Sequence, residues 1–174
     1  MSFSRFRGSW QNQTEPTSAT VNQKLIVIWY RNDLRIHDHE PLYQAVQEKA
    51  EIIPLYCFDD RQFGTTSFGF PKTGAFRAQF LLESVADLRN SLRSLNAADL
   101  GKSLGSNLGS NLGSNLVVRR GLPEQIIPSL AKELRISAVY YHREVTSEEL
   151  AVESALKKAL AQIGVKVKSF WGSD

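Results

Sequence analysis

The chain is poor in cysteine, in net charge and in long apolar runs. Its 174 residues include one cysteine, Cys57, which excludes an internal disulfide and is typical of a reducing compartment. No apolar run approaches the length of a membrane span. The net charge is only +3, and the 21 basic residues are interspersed with 18 acidic ones, which gives little support to nucleic-acid binding. We therefore expect a single cytoplasmic domain with no link to a membrane.

Several motifs that carry chemistry are also missing. There is no G-x-G-x-x-G fingerprint and no Walker loop for phosphates. The serines lack the histidine and aspartate partner pattern of a hydrolase. His37 and His39 share one loop without a matching ligand cluster, and His142 does not complete the spacing of a metal site. The sequence therefore predicts neither catalytic residues nor a metal ligand set.

Residues 1–23 differ from the rest of the chain. They are rich in serine, threonine, glutamine and asparagine, contain Arg5, Arg7 and one acid, Glu15, and show no hydrophobic period. The lack of an apolar segment excludes a secretory signal. Two interpretations remain, an organelle transit peptide and a disordered leader, and the polar composition favours the disordered leader.

From Lys24 onward, strand patterns and helix patterns alternate. Apolar, β-branched runs predict strands at residues 25–30, 52–58, 116–119, 138–141 and 165–170. Helical periods and start signals predict helices at residues 41–50, 75–95, from 123 onward and from 147 to 163. Pro128 is expected to bend the third helix or to delay its start, and Thr146 with Glu149 predicts a capping box for the fourth. The alternation predicts an α/β fold, a doubly wound parallel sheet of five strands with helices on both faces.

Residues 101–115 form an internal repeat. The tetrapeptide LGSN occurs three times in residues 104–115, after a decayed copy at 101–104. Glycine opposes a helix by about 1 kcal/mol relative to alanine, and so few copies are too short for a solenoid. We therefore predict a flexible surface loop, an insertion without chemistry of its own, whose extra length costs the fold little.

The first predicted strand ends in a run of polar side chains, and the carboxyl ends of strands are where open parallel sheets bind ligands. Residues 29–38 read WYRNDLRIHD. This string resembles the first strand and loop of the photolyase/cryptochrome family. Further strings are similar to the DASH branch of cryptochromes, of the cyanobacterial type: PLYCFDDR at 54–61, FPKTGAFR at 70–77, YHREVTSEE at 141–149 and FWGS at 170–173. The resemblance covers about residues 24–174, apart from the repeat.

The resemblance implies the amino-terminal α/β domain of that family, a Rossmann-like sheet in the order 3-2-1-4-5. It stops where that domain stops, so we expect the helical domain that binds FAD to be absent. The resemblance also implies that the carboxyl edge of the sheet binds the antenna chromophore methenyltetrahydrofolate, with Glu144, Arg31 and Cys57 at matching positions. An ionised carboxylate such as that of Glu144 offers two acceptors to the paired donors of an aminopyrimidine ring.

Each of these three residues also has a purely structural explanation. Glu144 shortly precedes a predicted helix, whose dipole favours an acid at that place. Arg31 and Arg35 could pair with Asp33 and Asp38 within one loop. The cysteine could simply be a small buried apolar residue. These alternatives stay open on the sequence alone.

The function that the resemblance implies is that of an antenna-binding domain. The full-length relative would use blue light and FAD either to repair cyclobutane pyrimidine dimers in single-stranded DNA or to sense light. This chain alone is not expected to repair DNA or to hold folate tightly. Its expected partners are the helical FAD domain, in cis or in trans, and a second copy through the exposed domain interface. Single-stranded DNA is expected as a partner of the full-length protein alone.

Two other functions are kept as alternatives. The chain could be a stand-alone nucleotide-binding or stress-related α/β module, or a partner that docks on a separately encoded flavoprotein. Nucleotide-binding modules of this kind usually have a glycine-rich phosphate loop after the fourth strand. Here that position carries Glu144, whose negative charge would repel a phosphate. The sequence therefore favours a neutral ring with amino groups over ATP.

Overall fold

The structure, a computed structural model, describes residues 24–66, 68–95 and 116–171. The predicted leader at 1–23 and the repeat at 101–115 lie outside these residues, so both interpretations stay predictions. Within the described ranges the strands are β1 Leu25–Tyr30, β2 Glu51–Phe58, β3 Val117–Arg120, β4 Ala138–His142 and β5 Lys166–Phe170. The helices are α1 Glu40–Gln47, α2 Ala75–Leu95, α3 Pro123–Leu134 and α4 Ser147–Gln162. None of these helices is both long enough and apolar enough to cross a membrane.

The five strands form one parallel sheet in the order β3-β2-β1-β4-β5. This confirms the predicted strand order. Along the chain, β2 and β3 are added on one side of β1, and β4 and β5 then follow on its other side. The carboxyl ends of β1 and β4 therefore lie at the point where the winding reverses, which is the usual ligand position in a doubly wound fold.

Two separate cores hold the helices to the two faces of the sheet. On β1, Ile26 and Ile28 belong to the core with α1 and α2, whereas Val27 and Trp29 belong to the core with α3 and α4. The side chains alternate because successive residues of a strand point to opposite faces. β1 is nearly inaccessible to solvent from Ile26 onward, since both faces are covered. β1 is thus the central strand of the sheet, and the residues that follow it lie at the carboxyl edge.

The element boundaries differ from the sequence-based prediction by a few residues. Helix α1 ends at Gln47 rather than near Ala50, and Lys49 just beyond it has a positive φ of 53°. Helix α3 begins at Pro123, so Pro128 does not delay its start. Pro128 removes one backbone donor, but it is buried on the apolar face of α3 with Ile127, where packing outweighs the lost bond.

Burial on the α4 face leads to a prediction about stability. Leu156 is fully buried, whereas Leu150 on the same helix is 39% exposed. We expect Leu156→Ala to lower the free energy of unfolding by about 2–5 kcal/mol, because it leaves a cavity against the sheet. Leu150→Ala is the matched control and should cost less than about 1 kcal/mol. Urea unfolding at neutral pH measures both; equal losses would contradict this account of the core.

Candidate functional site

The candidate site lies where β1 and β4 end. The residues that follow β1 are Arg31, Asn32 and Asp33, and those that follow β4 are Arg143 and Glu144. The two strands are neighbours in the sheet, so these two polar loops face each other across the winding switch. The start of α4, which follows the second loop, supplies the remaining side chains.

Arg31 is buried in a network of ions. Its side chain is 4% exposed, its Nη1 donates to Glu153 Oε1 at 2.6 Å, and its Nη2 pairs with Glu149. Its guanidinium also lies 4.6 Å from the ring centroid of Trp29. The alternative in which the Arg31 side chain pairs with Asp33 is wrong, because only the backbone N–H of Arg31 binds Asp33. Arg31 is thus a buried residue that holds the loop after β1 to α4.

The two acids that hold Arg31 were not predicted as site residues. Glu149 was expected to complete a capping box, and the Thr146 side chain does accept from the Glu149 N–H at 3.4 Å. The Glu149 carboxylate, however, pairs with Arg31 instead of returning to the helix start. Glu153 follows one turn later and is 2% exposed. The sequence signal that could have identified these two acids is their spacing. Glu149 and Glu153 are four residues apart and therefore lie on the same side of α4.

Glu144 is half-buried and faces the loop after β1. Its Oε1 accepts a hydrogen bond of 2.9 Å from Asn32 Nδ2, and its backbone N–H donates to Glu153 Oε1 at 3.1 Å. Among the described residues, no donor contacts the other carboxylate oxygen. Glu144 therefore offers a free acceptor beside an amide, at the edge where the sequence predicted a ligand.

Cys57 lies near the end of β2, on the opposite side of Arg31 from Glu144. It is 7% exposed, and burial together with the nearby Asp59 carboxylate raises the pKa of its thiol to about 12. Cys57, Arg31 and Asn32 line a cleft of about 20 Å³. That volume has room for about one water molecule and excludes a ring system.

A larger open groove begins on the other side of Asn32. It holds about 430 Å³ between the loop after β1 and helix α2, and Arg35, Tyr56, Arg77 and Phe80 are among its lining residues. This volume falls within the range of small-molecule sites. The structure thus places a small cleft and a much larger groove next to each other, and Asn32 lines both.

Asp33 fixes the position of the loop after β1 through contacts with two histidines. Its Oδ2 lies 2.5 Å from His142 Nδ1 and 2.8 Å from His39 Nε2, the second at a poorer angle than an ideal hydrogen bond. Its Oδ1 accepts from the Arg31 N–H at 2.9 Å. Burial alone would raise the pKa of Asp33, but the bonds from His142, His39 and the Arg31 backbone outweigh it and hold that pKa well below its usual range.

Asp33, His39 and His142 have the ligand types of a metal site, with all three ligand atoms within 4.8 Å of one another. From the sequence, the histidines were not predicted to form a metal site, and Asp33 was not considered together with them. The His39 ring argues for hydrogen bonds instead of a metal. Its Nδ1 caps α1 by accepting from the Leu42 N–H at 3.2 Å, so its proton lies on Nε2, towards Asp33. A metal at Nε2 would move that proton to Nδ1, against the Leu42 N–H.

Comparison with known proteins points to one family. A family model described as DNA photolyase matches residues 26–100 and 102–173. The chain is similar to cryptochrome DASH of Gloeobacter violaceus, with 56% identity over 153 residues, which cover 88% of this chain and 27% of that relative. It is also similar to the blue-light photoreceptor PHR2 of Arabidopsis thaliana, with 46% identity over 159 residues, 91% of this chain and 32% of that relative.

A solved structure supports the same relationship. The crystal structure of a Synechocystis cryptochrome superposes with a TM-score of 0.72 at 42% identity, over 85% of this chain and 27% of that one. The chain therefore spans about a third or less of the length of these relatives.

The Asp33 cluster leads to a prediction about pH. Because the pKa of Asp33 is lower in the folded than in the unfolded chain, its ionised form stabilises the fold above about pH 4, and this stabilisation is lost as pH falls towards the folded-state pKa. We expect Asp33→Asn to lower the free energy of unfolding by about 1–3 kcal/mol at pH 7 and by clearly less at pH 3. Urea unfolding at both pH values measures the difference.

The matched control for this substitution is Asp38→Asn. Asp38 is exposed in the same loop, and its positive φ of 51° suits asparagine as well as aspartate. Its replacement should change the free energy of unfolding by no more than about 0.5 kcal/mol at either pH. A loss for Asp33→Asn that is the same at pH 3 and pH 7 would contradict the assigned role of the carboxylate.

Burial of Cys57 leads to a second prediction from this site. The thiolate is the reactive form, and a pKa near 12 leaves roughly a thousandth of the thiolate that an ordinary cysteine has at pH 8. We expect a colorimetric thiol reagent to label the native chain at least about a hundredfold more slowly than the urea-unfolded chain, because so little of the native thiol is ionised. Because Cys57 is the single cysteine, the signal is unambiguous. Similar rates in the two states would show that the thiol is accessible.

Proposed function

This chain belongs to the DNA photolyase family, in its cryptochrome DASH branch, and from that premise we propose that its carboxyl sheet edge binds a folate antenna chromophore, methenyltetrahydrofolate. In the proposed whole protein the antenna collects blue light for an FAD held elsewhere. The proposed final use of that light is repair of cyclobutane pyrimidine dimers in single-stranded DNA, or photoreception.

The observation that carries this proposal is the pairing of Glu144 with Asn32 at 2.9 Å, beside the winding switch. A pterin presents an amino group and a ring N–H side by side, and a carboxylate accepts from both. The side-chain amide of Asn32 can donate and accept next to it. A carboxylate with one oxygen already oriented by an amide is a directional acceptor for such an edge.

The shape of the edge restricts where the ring can lie. The cleft that Arg31 and Cys57 line is too small for it, at about 20 Å³. The groove on the other side of Asn32 holds about 430 Å³ and is open. We therefore place the chromophore over Glu144 and Asn32, extending towards the groove, with Arg31 and Cys57 behind it as the floor of the site.

An open groove leaves one face of the ring uncovered, and exposed aromatic side chains lie close by in sequence and structure. Phe76 and Phe80, one turn apart on α2, are 90% and 71% exposed, and Phe68 and Phe70 in the preceding loop are 85% and 70% exposed. Exposed aromatic groups of this number are typical of an interaction surface. We propose that they contact the helical FAD domain that makes up much of the remaining length of the relatives.

The proposal is tested by titrating the purified chain with methenyltetrahydrofolate and following its near-ultraviolet absorption. We expect binding with a shifted band, and we expect Glu144→Gln to weaken it by about tenfold or more, because a neutral amide replaces a charged acceptor of two hydrogen bonds. ATP, added instead of folate, should not bind, since Glu144 repels phosphate.

The matched control is Glu148→Gln. Glu148 is an exposed acid at the start of α4 whose nearest basic partner is Lys72, at 3.6 Å. Its replacement removes the same charge from the same region but should leave folate binding within about twofold of the original, because rim charges contribute little. A folded chain that binds no folate would refute the proposal for this chain, and binding of ATP would favour the nucleotide module.

A further inference from the structure

We infer that Glu153 is a positioning residue for the proposed chromophore site, where it fixes both Glu144 and Arg31 from beneath. This inference rests on the proposed function, because it concerns the same site. It assigns a role to a side chain that is buried and that lies in the middle of a helix.

The first oxygen joins the two loops of the site. Glu153 Oε1 accepts from Arg31 Nη1 at 2.6 Å and from the backbone N–H of Glu144 at 3.1 Å. One atom on α4 therefore binds the loop after β1 and the loop after β4 at the same time. Because a backbone donor of Glu144 is involved, a shift of Glu153 moves the residue that presents the free acceptor.

The second oxygen faces a basic side chain of the same loop. Glu153 Oε2 and Arg143 Nε are both buried without a hydrogen-bond partner and lie 3.8 Å apart. The guanidinium of Arg143 stacks on the ring of Trp171 at 4.4 Å, which holds it in place. Lys157, one turn further along α4, lies at 4.0 Å from the same oxygen. Glu153 is thus surrounded by positive charge on both sides, although it is 2% exposed.

Glu149 provides the contrast that defines this role. It is also an acid of α4 and also pairs with Arg31, but its side chain is 23% exposed and it has no bond to the backbone of Glu144. Loss of Glu149 therefore removes one arm of the Arg31 network and leaves the link between the two loops intact. Loss of Glu153 removes the link itself and leaves Arg31 paired with Glu149.

The experiment compares Glu153→Gln, Glu153→Asp and Glu149→Gln with the original chain in three measurements. Folate affinity is measured by the absorption titration, stability by urea unfolding, and the position of Glu144 by the chemical shift of its backbone amide without ligand. Glu153→Gln keeps the shape but removes the charge, and Glu153→Asp keeps the charge but withdraws it from the Glu144 N–H. Leu156→Ala on the same helix controls for lost stability alone.

We expect both Glu153 variants to move the amide resonance of Glu144 and to weaken folate binding by about tenfold, the effect of one charge-assisted hydrogen bond. Glu149→Gln should stay within about threefold of the original affinity and should leave that resonance in place, because Arg31 and the Glu144 N–H both keep their bonds to Glu153. Leu156→Ala should lose stability without losing affinity. Glu153→Asp serves as the test if Glu153→Gln does not fold.

Two results would overturn the inference. Original affinity in a folded Glu153 variant would show that Glu144 needs no support from below, while the proposed function would stand. An unmoved Glu144 amide in both Glu153 variants would refute the inference even if the original chain bound no folate. Absence of folate binding to the original chain, with the Glu144 amide moved by Glu153→Gln, would refute the proposed function and support the positioning contact.

Discussion

The burial of charged groups where β1 and β4 separate is the constraint on which the site depends. The side chains of Arg31 and Glu153 are 4% and 3% exposed, and a buried ion without its partner costs several kcal/mol. Each ion is therefore tied to the position of the other. Since Arg31 belongs to the loop after β1 and Glu153 to α4, neither element can shift alone. The paired ions therefore hold the loop after β1 against α4.

The loop after β1 is held at two points. Asp33 ties it to His39 at the start of α1 and to His142 at the end of β4. Two residues earlier, Arg31 ties it to α4. Asn32 lies between these two anchors, so its backbone is held by its neighbours, and its side-chain amide is oriented by its hydrogen bond to Glu144 Oε1. The side chain of Asn32 thus acquires a fixed direction although Asn32 itself is exposed.

The elements could be predicted from the sequence because their signals are local. The alternation of β1 side chains and the start of α3 at Pro123 follow from period and backbone chemistry, and the strand order came from the family resemblance. The site could be predicted only in part. Glu144 follows a strand end, but Glu149 resembled half of a capping box, and Glu153 resembled any surface acid of a helix. Their partner, Arg31, is more than a hundred residues away in sequence, and such a pairing is set by the tertiary fold.

The contrast in size between the small cleft and the large groove bears on how a domain of this kind would work as an antenna. A chromophore that passes its excitation to a second one must keep a fixed orientation, so at least one side of its site has to be rigid before binding. In the proposed site, the buried pairs of Arg31 with Glu149 and Glu153 would provide that side, because they form without a ligand. The groove beyond Asn32, about 430 Å³ and bordered by Phe80, is open to solvent. In the proposed antenna site, this chain would therefore supply the supporting half, and the covering half would come from the partner surface proposed to pack on its exposed phenylalanines.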